Sequence, residues 1–159
     1  RKRRPLSGEP ITAGTTPLII EVSGMRVGIG ICSDARHADL AEAHVGTTDA
    51  VVYLLNNRLP SEVADAWRPR HLEVLADRAR QVGSWVLATD VVHQDQESRS
   101  YGCTAIVDPD GAIHDRVRES STGMLVVDVT CGAPCEAPMA DQVVSRGVNP
   151  TRETCSPDR

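Results

Sequence analysis

Phenylalanine is missing from this chain of 159 residues, and two Trp with two Tyr bring the aromatic share to only 3%. A core assembled around large rings is therefore excluded, and the interior has to be packed from Val, Ile, Leu and Ala. Long apolar runs are missing as well. Nothing approaches the ~20 residues of a bilayer-spanning helix, and no segment joins a charged start to the apolar centre of a secretory signal. The five cysteines, at positions 32, 103, 131, 135 and 155, are odd in number and scattered, which argues against a disulfide framework and for reduced thiols. Cys131 and Cys135 form a C-x3-C pair but lack the second close pair that structural zinc sites use, so neither a metal nor another cofactor is expected. A formal net charge of -5 argues against a dedicated nucleic-acid binder, although Arg1-Lys2-Arg3-Arg4 is locally basic. What these absences leave is a soluble, cytoplasmic protein, bound to neither nucleic acid nor membrane.

What is present is a globular composition, 40% hydrophobic and 25% charged, in a length that suits one domain. Strand and helix periodicities alternate along it, which predicts an α/β fold, and there are no internal repeats. Pro17 to Val22 and Met25 to Ile31 read as strands joined by the turn Ser23-Gly24, a hairpin signal. Asp39 to His44 reads as a short helix stopped at Gly46, and Asp49 to Leu55 as a strand buried on both faces. A longer helix is predicted to begin near Trp67 to Pro69, to carry Leu72, Leu75, Ala79 and Val82 on one face, and to stop at Gly83. Ser84 to Thr89 follows as a strand and His93 to Ser100 as a surface loop. Gly102 to Asp108 and Ala112 to Val117 flank the turn Pro109-Asp110-Gly111, and Gly123 to Val129 is the last strand predicted. One domain is thus expected over residues 1–129, with residues 130–159, rich in Pro, Cys, Ser and Arg, as a tail.

The segment that carries chemistry runs from Met25 to Arg36, where an apolar strand stops at Cys32 and the chain turns into a helical pattern. Strand ends that face helix starts are where open α/β folds hold their reacting groups, and unpaired N–H groups at a helix start favour a thiolate. On this local pattern alone Cys32 is either a nucleophile or a small core residue. Asn56 and Asn57, directly after the buried strand, stand where loops line such sites.

With these elements placed, the chain resembles the nitrilase superfamily of carbon-nitrogen hydrolases over about residues 1 to 129. The resemblance rests on Ile31-Cys32-Ser33-Asp34-Ala35-Arg36, on Lys2 followed by Gly8-Glu9 ahead of the strand pair, and on three later blocks. These are Trp67 with Arg78-Ala79, the strand Ser84 to Ala88, and Gly102-Cys103-Thr104 leading to Asp108-Pro109-Asp110-Gly111, all in family order.

The resemblance implies an αββα sandwich, paired across subunits as a homo-oligomer when full length, and hydrolysis of a small-molecule amide or carbamoyl compound through a cysteine thioester. It gives Cys32 the role of nucleophile, Lys2 that of the cation beside the thiolate and oxyanion, and Glu9 that of the family's second glutamate, which orients the site. Ser33 stands where the family carries an aromatic residue, so it is expected to alter the pocket wall and, with Asn56 and Asn57, to meet substrate. The family's general-base Glu lies upstream of the Lys. Since this chain opens on Arg1, it is expected to be an N-terminally truncated stretch, inactive by itself. The alternative is a non-catalytic relative kept as a binding or assembly module.

Overall fold

A computed structural model describes residues 1–129, apart from 94, 96, 101, 119 and 120. In chain order its strands are β1 (Leu18–Val22), β2 (Met25–Ile31), β3 (Ala50–Leu54), β4 (Arg58–Pro60), β5 (Trp85–Thr89), β6 (Ser98–Ser100), β7 (Ala105–Val107) and β8 (Ile113–Arg116). The helices are α1 (Ala38–Ala41), set between tight 3-10 turns at Cys32–Arg36 and Glu42–His44, and α2 (Ser61–Val82). Six strands form one mixed sheet in the order β1-β2-β3-β5-β7-β8, and β4 with β6 forms a separate two-stranded ribbon.

Local sequence accounts for the sheet's first hairpin. Ser23 and Gly24 both take positive φ, 52° and 80°, the turn geometry whose twist matches the strands it joins, and β1 folds back antiparallel on β2. β2, β3 and β5 then run parallel, while β7 and β8 return antiparallel at the far edge. Helix α2 covers one face of this sheet. Its Ala64, Leu75, Ala76, Ala79 and Val82 pack on Val51, Tyr53, Val86, Ala88 and Val107, an almost wholly aliphatic core. Gly30 is required beneath it, because a Cβ there would lie 2.5 Å from the Tyr53 ring. Among the described residues no helix is long and apolar enough to cross a membrane.

Three sequence expectations are corrected. The long helix begins at Ser61, not near Trp67 to Pro69, and Pro69 lies inside it. Proline there forfeits a bond to the Asp65 carbonyl, a local cost of about 3 kcal/mol that burial of Ala64 and the extra helical turns offsets. The predicted loop from His93 to Ser100 contains β6, paired with β4 through Arg58↔Ser100 and Pro60↔Ser98. Gly123 to Val129 forms no strand: among the described residues it pairs with no neighbour in the sheet, and Met124 and Val126 are exposed. The expected tail, residues 130–159, and with it Cys131, Cys135 and Cys155, lies outside the described residues.

Candidate active site

The three parallel strands end together. Ile31 pairs with Leu54 and Leu54 with Thr89, so the residues that follow emerge along one edge of the sheet: Cys32 after β2, Asn56 and Asn57 after β3, Asp90 after β5. This is the carboxyl edge at which α/β sheets assemble binding sites. A cleft of about 900 Å³ opens there, and Lys2, Glu9, Cys32, Arg36, Asn56 and Asn57 are among its lining residues.

Cys32 is half-buried and takes φ 50°, one of only two non-glycine residues with positive φ among those described. Left-handed backbone at such a residue costs free energy and persists only where the surroundings impose it, which fits a turn that must aim one side chain. Lys2 is buried, and its Nζ donates to both Glu9 oxygens at 2.7 and 2.8 Å. Glu9 Oε2 also accepts the Leu6 N–H at 2.6 Å. The Lys2 ammonium, and after it this N–H, hold the Glu9 carboxyl below its usual pKa.

The first residues of the chain are tied to the cysteine turn from below. Buried Asp34 accepts the N–H groups of Arg3, Arg4 and Ile31, and buried Ser33 donates its hydroxyl to the Arg4 carbonyl. Ser33 is therefore not among the residues that line the cleft. Asn57 lines it, but its backbone N–H and its Nδ2 are engaged by the Asp90 carboxylate at 3.0 and 3.1 Å. Asn56 lines it as an exposed residue. Of the predicted set, Cys32, Lys2, Glu9, Asn56 and Asn57 share the cleft, while Ser33 lies behind it.

Sequence reading missed two carboxylates and a histidine. Asp90 also accepts from Ser100 Oγ and the Cys103 N–H, joining the ends of β3, β5 and β6 to the start of β7. Its partners are scattered through the chain, so no local spacing announces it. The same holds for Asp34 as a tie to Arg3 and Arg4. His71 is buried on α2, and burial, then the charge of Arg36, pushes its pKa down to about 4 against a weaker upward pull from Asp90. Arg36 itself stacks over Trp67, 4.4 Å from the ring centre, at the cleft wall. Among the described residues no three His, Cys, Asp or Glu side chains are grouped to hold a metal ion.

The carbon-nitrogen hydrolase family matches residues 3–133. Among solved structures, a CN-hydrolase superfamily protein from Xanthomonas campestris, with an arsenic adduct in its active site, is 25% identical at a TM-score of 0.56, covering 68% of this chain and 42% of that one. Nit3 of Saccharomyces cerevisiae, from branch 10 of the nitrilase superfamily, is 22% identical at 0.58, covering 70% and 40%. An amidase from Nesterenkonia, solved with acrylamide added at its active-site cysteine, is 18% identical at 0.61, covering 75% and 45%. The chain thus spans less than half the length of each of these proteins. No curated protein matches it. The shared fold is the αββα sandwich, to which this chain contributes a helical layer and the six-stranded sheet.

Proposed function

The chain belongs to the carbon-nitrogen hydrolase family, and from that premise we propose that it carries the nucleophile and its cation for hydrolysis of an amide or carbamoyl group. The observation that supports this most is the meeting of Lys2, Glu9 and Cys32 around one cleft, with Cys32 on a positive-φ turn and Lys2 buried against Glu9. The Cys32 thiolate attacks the carbonyl carbon, forming a C–S bond and an oxyanion. Collapse of that adduct breaks the C–N bond, the proton that the thiol gave up passes to the leaving amine, and a thioester remains. The Lys2 ammonium favours both thiolate and oxyanion. Water then attacks the thioester, gives its proton to a base, and releases the acid with the thiolate restored.

The two half-reactions draw on different residues. Glu9 is the one carboxylate among the residues lining the cleft, and Lys2 holds it in an ion pair. It therefore orients Lys2 and does not serve as the base. Acylation draws on Cys32 and Lys2, and no second carboxylate among the described residues lines the cleft to take the proton of the attacking water. The substrate is a small amide, and the full-length protein works as a homo-oligomer.

Mass spectrometry of the full-length protein after incubation with a panel of short amides tests this. An acyl adduct on Cys32, its loss in Cys32→Ala, and release of ammonia or amine by the wild type are expected. Ammonia release by Cys32→Ala at the wild-type rate would refute the assignment, and absence of any adduct or release would favour a binding module.

A further inference from the structure

Asp34 is nine-tenths buried or more, lies outside the cleft lining, and yet receives backbone N–H groups from two segments about thirty residues apart. Arg3 donates to both its oxygens at 3.1 Å, Arg4 donates to Oδ1 at 2.8 Å, and Ile31 donates to Oδ2 at 3.1 Å. The positions are telling. Arg3 directly follows Lys2, and Ile31 directly precedes Cys32, so each reacting side chain is one residue from a bond to the same carboxylate. Capping the turn at Cys32–Arg36 would need the Ile31 bond alone. The bonds to Arg3 and Arg4 do a separate job, and Ser33 adds a stitch of its own to the Arg4 carbonyl.

We propose that Asp34 is a positioning residue that fixes the Lys2 segment against the Cys32 turn, so that ammonium and thiol keep one spacing across the cleft. The proposal rests on the hydrolase reading above for its purpose, though its geometry stands apart from any substrate. Hydrogen bonds to a carboxylate are roughly twice as strong as neutral ones. A misplacement of about 1 Å costs roughly a hundredfold in rate where reacting groups must be aligned. Ser33 belongs to the same device. It stands where the resemblance leads one to expect an aromatic pocket residue, and it ties the Lys2 segment down instead.

The test follows alkylation of Cys32 by iodoacetamide at pH 7 in the full-length protein, which requires no substrate. Asp34→Asn is expected to slow alkylation about tenfold. Loss of a nearby negative charge would by itself speed it, so slowing reports a displaced ammonium. Asp34→Glu, which keeps the carboxylate one methylene further out, is expected to recover most of the rate. In a Lys2→Ala background Asp34→Asn should cause no further slowing, because the cation it positions is already gone. An unchanged rate in Asp34→Asn, or an equal slowing with and without Lys2, overturns the proposal. Should Asp34→Asn fail to fold, Ser33→Ala removes one stitch and is expected to slow alkylation about threefold only while Lys2 is present; no slowing overturns the proposal equally. A wild type that follows this pattern but hydrolyses no amide upholds the positioning role and refutes the hydrolase reading, so the two failures are distinguishable.

Discussion

The two faces of the six-stranded sheet are both largely apolar, but only one of them is sealed by a helix. Registers place Val51, Tyr53, Val86, Ala88 and Val107 on one side, where α2 seals them. Leu18, Ile20, Val27, Ile29, Val52, Leu54 and Leu87 lie on the other, where Leu18, Ile20 and Leu54 are 45%, 42% and 45% exposed. An apolar residue on this sheet is therefore worth what covers it, and not what it is. In an αββα sandwich both faces of such a sheet are covered, one by helices and one by a second sheet, which explains why β3 reads as apolar throughout.

Four measurements would break or sharpen this contrast. The largest effect is expected for Leu75→Ala, which opens a cavity where the side chain is fully buried. It should lose roughly 4 kcal/mol in urea unfolding. Next comes acid. His71 on the covered face stays neutral down to about pH 4, whereas in the unfolded chain it takes up a proton near 6.5. Its contribution is thus intact above pH 6.5 and falls as pH drops from 6.5 to 4, by about 3 kcal/mol in all. Stability measured across that window should flatten in His71→Leu, and an unchanged slope would show that another group carries the loss.

Gly30→Ala drives a methyl into the Tyr53 ring and is expected to cost about 2 kcal/mol, read from the melting temperature. The smallest effect belongs to the open face. Ile20→Thr should shift unfolding of the 159-residue chain by at most ~0.5 kcal/mol. A loss there as large as that of Leu75→Ala would erase the contrast between the faces.

Periodicity revealed the elements that make their own local bonds, and missed those defined by a distant partner. The hairpin at Ser23-Gly24, the end of α2 at Gly83 and the turn at Pro109 to Gly111 were legible because turn chemistry is local. Pro69 misled because proline usually marks a helix start, whereas here packing of Ala64 carries the helix past it. β4 and β6, Arg-Leu-Pro against Ser-Arg-Ser, carry no alternating apolar pattern, so only their pairing defines them. Gly123 to Val129 is the converse, an apolar run that pairs with no described strand. At the site, Lys2, Glu9 and Cys32 were named from family order along the chain, and they line one cleft. The partners of Asp34 and Asp90 were not, since the N–H groups they bind look alike in every residue.

The backbone at Cys32 also limits which nucleophiles this turn could ever hold. At φ 50° a side chain branched at Cβ meets its own carbonyl. Serine could replace the thiol with no change of path, but threonine could not. The choice among hydroxyl and thiol chemistries is thus narrowed by the main chain before reactivity has any say, and a variant library built at position 32 should return folded serine, glycine and asparagine proteins and few with valine, isoleucine or threonine.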